Sequence, residues 1–132
     1  MIYSKTTSNG TVSDVCGRVE QASLDNKFGV LGRHNLREKM QEKGVAFDRD
    51  CIVLEVCNPH VASQALGVHM GVSTLLPCRI SVYQEKQGSQ TVHVSTMKPC
   101  ALLGLMTMPG LDTFASEVEA ALVKIIDEAC EG

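Results

Sequence analysis

The sequence predicts an α+β protein, a two-layer sandwich in which a mainly antiparallel sheet carries two long helices on one face. Three observations predict it. Two stretches near the ends of the chain, Val12–Ser23 and Asp112–Ala129, repeat apolar residues at helical spacing. Between them Cys51–Cys57 and Leu75–Lys86 read as strands, and Thr91–Met97 returns across the turn Gln87-Gly88-Ser89-Gln90 as the second arm of a hairpin. These strands also alternate apolar with polar residues, so one face of the sheet is dry and the other wet.

The elements follow in order. Ile2–Thr7 alternates weakly and reads as an edge strand. Val12, Val15, Cys16, Val19 and Ser23 form one helical stripe, with Thr11 as its cap and Asp14 three residues on. Lys27–His34 reads as a strand. Asn35–Lys43 is a short charged helix ended by Gly44, with Leu36 and Met40 turned inward. Cys51–Cys57 is the clearest strand. Asn58-Pro59 stops it, Asn58 capping a helix over His60–Leu66 that Gly67 closes. Leu102–Met108 is apolar without a decisive period, and Pro109-Gly110 breaks it. Asp112 caps the last helix, whose stripe is Phe114, Ala115, Val118, Ala121, Leu122, Ile125 and Ala129.

The chain has 132 residues, one domain's worth, and its size implies about 6,800 Å² of folded surface. Such a core needs no disulfide or metal staple. No apolar run spans a bilayer, and residues 1–10 show no secretory pattern. The net charge is −3 without a basic patch, which argues against nucleic acid, and five aromatic residues are few for base stacking. Residues 99–132 carry six acids and one lysine. That is the solvated side of a last helix and the wrong sign for a membrane surface. The six cysteines Cys16, Cys51, Cys57, Cys78, Cys100 and Cys130 contain no C-x-x-C. Reduced thiols in a cytoplasmic protein are the expected reading.

Period-2 parity sorts the strands. Ile52, Leu54 and Val56 share one face with Leu76, Cys78, Ile80, Val82, Val92 and Val94. The other face carries Glu55, Arg79, Ser81, Tyr83, His93 and Ser95. It is either simply solvated, or it is a homodimer interface or ligand platform. Dimerisation through it is the expected assembly.

The segment Leu54-Glu55-Val56-Cys57-Asn58-Pro59-His60-Val61-Ala62, then Ala65-Leu66, then Leu75-Leu76-Pro77-Cys78-Arg79-Ile80-Ser81-Val82-Tyr83 resembles the family named domain of unknown function 302. Phe28-Gly29-Val30-Leu31, Glu38-Lys39-Met40, Lys43-Gly44-Val45 and a strand ending at Pro99 agree with it. The resemblance implies a TATA-binding-protein-like fold of order β-α-β-β-β-β-α, with the short helices as insertions. It brings no established activity, and fold alone brings none either.

The sharpest chemical feature is Cys57, His60 and Cys78. Cys57 ends one strand and Cys78 begins the next, so antiparallel pairing sets them near each other, with His60 in the first turn of the intervening helix. The group reads as a thiol or ligand site of Cys57, Asn58, Cys78 and Arg79, or as a soft-metal site of Cys57, His60 and Cys78 for zinc or copper. A helix N-terminus beside Cys57 would favour its thiolate, which suits a redox or sulfur-carrying role. Parity opposes the tidiest version, since Cys78 belongs to the inward set and Cys57 to the outward one. In the plainer reading Cys78 is core and Asn58-Pro59 is turn chemistry. His69-Met70 and Met106-x-Met108 are a second, weaker soft-metal pattern, because methionine usually fills cores. Phosphate-binding glycine loops and serine-nucleophile motifs do not occur. The sequence thus expects a small binding or accessory module, with a thiol-dependent protein or a purely structural interaction domain as alternatives.

Overall fold

A computed structural model describes residues 1–106 and 108–132, and within them the alternating strands form one five-stranded sheet of order β1-β5-β4-β3-β2, every neighbouring pair antiparallel. The strands are β1 (Ile2–Thr7), β2 (Gly29–Asn35), β3 (Cys51–Cys57), β4 (Cys78–Tyr83) and β5 (Val92–Met97). Both long helices, α1 (Val12–Asp25) and α5 (Asp112–Glu131), lie on one face. The order is the one the resemblance implies, with α2 (Leu36–Glu42), α3 (Pro59–Val68) and α4 (Pro99–Gly104) as insertions. The described residues expose 7351 Å², close to the surface expected from size.

Local chemistry explains the boundaries. The Thr11 hydroxyl accepts from the Asp14 N–H and the Asp14 carboxylate accepts from the Thr11 N–H, a reciprocal cap that starts α1. Its stripe Val12, Val15, Cys16, Val19 and Ser23 is buried throughout. Gly44 follows α2 with φ +74° and Gly88 turns the hairpin with φ +75°, both in the left-handed region. Asn58 caps α3 by accepting from the His60 and Val61 N–H groups, with Pro59 at the first helical position.

Four expectations are corrected. The strand expected over Leu75–Lys86 is confined to Cys78–Tyr83: Met70–Leu75 wind into a 3-10 turn, and Pro77 has no N–H to give the ladder. The helix expected to close at Gly67 runs through it to Val68, and the His69 N–H returns to the Ala65 carbonyl. The ambiguous stretch after β5 begins as the helix α4, with Pro99 in its first turn. Asp112 is the first residue of α5 rather than its cap; it sits where a negative charge suits the helix dipole, and Leu111 precedes it without a side-chain cap bond. Thr107, in the middle of the Met106-x-Met108 pattern, lies outside the described residues.

Two apolar clusters result. The larger joins α1 and α5 to the inward side chains Ile52, Leu54, Val56, Ile80, Val82, Val92 and Val94. At roughly 25 cal/mol per Å², burial of this face is the main force holding the layers together. The smaller cluster gathers Ala65, Val72 and Leu111 with Leu66, Leu75, Leu76, Leu103, Met108 and Phe114, all from the insertions and the start of α5. On the other face, Ser81, Tyr83 and His93 are half-buried, with the Tyr83 and His93 rings stacked at 5.0 Å. Ser95 lies between β1 and β4 and is more buried than a solvated face requires, its hydroxyl 2.7 Å from that of Ser4. No helix among the described residues is long and apolar enough to cross a membrane.

Candidate functional site

Where the two clusters meet they leave a cavity of about 210 Å³. Its sheet side is the end of β3 and the start of β4, with Phe28 and Val118 from the main cluster. Its opposite side is Leu75, Leu76, Leu103, Leu111 and Phe114 from the smaller one. Cys57, Asn58, Cys78 and Arg79 all line it.

Register explains how a parity conflict still brings both thiols to one space. Val56 faces Cys78 across the β3–β4 ladder, so Cys57 lies just past the last paired residue, where the chain turns into α3. Both cysteines are half-buried. Burial pushes the Cys57 thiol up from its ordinary value. Burial, and then the charge of a Cys57 thiolate, push Cys78 up to about 11. This corrects the expectation that the α3 terminus would favour a Cys57 thiolate. The Asn58 side chain takes the free His60 and Val61 N–H groups, and burial dominates what is left. At neutral pH both thiols keep their protons.

His60 does not join them. It is exposed on the first turn of α3 and does not line the cavity. Among the described residues no three His, Cys, Asp or Glu side chains are grouped to hold a metal ion. The second soft-metal pattern fares differently. A Cβ at Gly71 would lie 2.8 Å from His69 Cε1 and 3.5 Å from Met108 Cε, so the two side chains flank the same glycine. However, His69 Nδ1 accepts the Gly71 N–H at 3.0 Å. The proton of the neutral ring therefore sits on Nε2, and neither nitrogen offers a free lone pair to a metal.

The polar groups of the cavity wall are few. Thr96 Oγ1 donates to the Arg79 carbonyl at 2.8 Å, and Thr74 Oγ1 to the Gly71 carbonyl at 2.9 Å. Asn58 Oδ1 is committed to the helix, while its Nδ2 donates to no protein group among the described residues. Arg79 is 71% exposed, and its only ion pair among the described residues is a 3.9 Å contact from Nε to Glu55 Oε2. Glu55 itself is held by His34 Nε2 at 2.7 Å.

The sequence reading missed the second wall. Leu103, Leu111 and Phe114 read as parts of an ambiguous run or of the α5 stripe. The available signal was a surplus: residues 61–76 and 99–118 hold more apolar side chains than one face of this sheet can cover.

The two stretches that carry the resemblance, Cys57-Asn58 and Leu75–Arg79, meet at this cavity. The sequence profile of the family described as "Domain of unknown function DUF302" matches residues 3–129. A crystal structure of an uncharacterized conserved DUF302 protein from Bacillus stearothermophilus is similar to the chain at 35% identity and a TM-score of 0.88, covering 98% of this chain and 97% of that one. No curated protein matches the chain. The profile over nearly the whole length and the shared fold lead to one conclusion: the chain belongs to the family of domain of unknown function DUF302.

Proposed function

We propose that this protein is a small binding module whose cavity takes an apolar ligand, with Cys57 and Cys78 as part of its lining. The observation that carries the reading is the seam itself. Two apolar clusters face each other across about 210 Å³ rather than closing on it, and the wall between them is apolar apart from Asn58, Arg79, two hydroxyls and two thiols. Protonated thiols are good apolar lining and poor nucleophiles, which favours binding over the sulfur-carrier and redox alternatives.

The test is amide NMR during titration with 1-octanol. Shifts should concentrate at Ala62, Leu75, Leu103 and Phe114, and Ala62→Phe, which fills the space from α3, should abolish them. No shifts up to millimolar octanol, or the same shifts in Ala62→Phe, would overturn the reading.

We further propose a homodimer through the open face of the sheet. Five strands about 4.8 Å apart and six or seven residues long present roughly 500 Å² per copy, so about 1,000 Å² in all, the lower bound for a stable pair. Its middle row runs through Ser4, Ser95, Ser81 and Val53, all short, to the half-exposed His34 on β2, and Ile2 beside Met97 adds exposed apolar surface. Sedimentation should give a dimer that Ser81→Arg converts to monomer; a monomeric wild type at 100 µM-scale concentrations rejects it. A cytoplasmic location completes the proposal, supported by six unpaired thiols and a core that closes without crosslinks. The net charge of −3 keeps nucleic acid out of it.

A further inference from the structure

We infer that two copies pack open face to open face with their β4 strands antiparallel, so that Arg79 of each meets the partner's Tyr83 and the partner's Glu85. This rests on the homodimer reading above and assigns its symmetry and its charged contacts. Two equal copies packed face to face are related by a two-fold axis in the plane between the sheets, which stand about 10 Å apart. β4 is the central strand of the five. Only an axis along β4, or one crossing all the strands at mid-length, keeps all five covered. An axis between β3 and β4 would set Arg79 on the partner's Glu55 but leave β1 bare, and the face has no area to spare at a lower bound of about 1,000 Å².

Charge decides between the two. The axis along β4 stacks each Arg79 guanidinium on its own copy. That side chain is 71% exposed, and Glu55 comes no nearer than 3.9 Å to its Nε, beyond hydrogen-bond range, so the cation is free to repel. The crossing axis sets the two Arg79 residues four positions apart. That is about 14 Å along the strand at about 3.4 Å per residue, past the screening length of about 8 Å. It lays Arg79 over the partner's Tyr83, with the partner's Glu85 two residues beyond. Within each copy the Tyr83 ring stacks on His93 at 5.0 Å. Glu85 is 66% exposed and stands on the same face, its Oε1 3.4 Å from His93 Nε2. A guanidinium thus meets an aromatic ring and a carboxylate, twice per dimer. The axis runs through Ser4, Ser95, Ser81 and Val53, which meet their own copies and are short enough to let the backbones approach. Met97, exposed on the row of Arg79, lands on the partner's His93.

The experiment is a charge-swap cycle on the full chain, read by sedimentation at low salt. Arg79→Glu and Glu85→Arg should each weaken the dimer about tenfold or more, and the variant carrying both should return to within about threefold of wild type. Within one copy the two residues lie six positions apart, about 20 Å along the strand, so a rescue comes only from across the interface. Rescue also shows that the doubly substituted chain is folded. Arg79→Gln separates the two axes: it should weaken the dimer if the cation meets Glu85, and tighten it if the cation meets its own copy. A double variant no tighter than the singles, or tightening by Arg79→Gln, overturns this packing and leaves dimerisation through the open face to its own Ser81→Arg test. A monomeric wild type overturns both.

Discussion

A Cβ on Gly32 would stand 2.7 Å from Oε1 of Glu55, the same oxygen that His34 Nε2 meets at 2.7 Å. Gly32 follows the irregularity in the β2–β3 register and so leaves a notch in which the two side chains pair over bare backbone. Gly32→Ala is therefore expected to push the carboxylate aside and break the pair. Stability should change by less than about 1 kcal/mol, because a half-exposed polar contact is lost while alanine restricts the unfolded chain. The ¹⁵N resonance of His34 Nε2 should move. An unchanged ring resonance would show that the notch is not what places Glu55.

The two clusters should respond differently to truncation. Leu54 is fully buried between the sheet and the helices, so Leu54→Ala is expected to destabilise by about 3 kcal/mol in urea denaturation. Leu103 borders a space that is already open, and Leu103→Ala should cost about 1 kcal/mol while weakening octanol binding. Equal losses at the two positions would mean that the insertions are packed as tightly as the sheet.

Alkaline pH should expose the buried thiols. Cys78 is pushed up to about 11 and Cys16 to about 12, from an ordinary 9.0, burial being the chief cause in each. The fold holds these protons where the unfolded chain has released them. Their contribution to stability is thus complete below pH 9 and is lost as pH rises through about 11 for Cys78 and about 12 for Cys16. Melts over that range should show the decline, and Cys78→Ala should lessen it by roughly 2 kcal/mol. Parallel curves for wild type and variant would count against a raised Cys78 pKa.

At the acid end, Asp127 ties β1 to α5. The Tyr3 hydroxyl donates to it and Lys5 Nζ lies 3.1 Å away, and in that order they hold its carboxyl below the usual range. The contribution exists above the ordinary carboxylate pKa and is lost as pH falls through the lowered one. Tyr3→Phe should bring the Asp127 titration, followed by carboxyl ¹³C NMR, back toward the ordinary value. No movement would assign the effect to Lys5.

What the sequence could show follows from how local each signal is. The cap at Thr11 and Asp14, the stripe of α1, the strand Cys51–Cys57 and the stop at Asn58-Pro59 depend on neighbours in the chain, and all are found in the structure. The start of β4 was misjudged because Leu75 and Leu76 are apolar enough for a strand, yet their partners are Leu103 and Phe114, distant in sequence. The thiol pair was visible as spacing, whereas its protonation was not. Whether a helix end or burial governs Cys57 depends on Asn58 consuming the N–H groups, a contact that spacing does not reveal.

The strand order has a consequence for how the chain acquires its shape. Among the described residues β1 finds its only strand partner in β5, with Ile2 opposite Met97. During synthesis β1 emerges long before β5 exists, and the main apolar cluster lacks its α5 side until that helix follows. Contacts this far apart in sequence carry a large loop-closure entropy and slow folding. Until β5 arrives, β1 is an unpaired edge, the stage at which a chaperone has the most to hold.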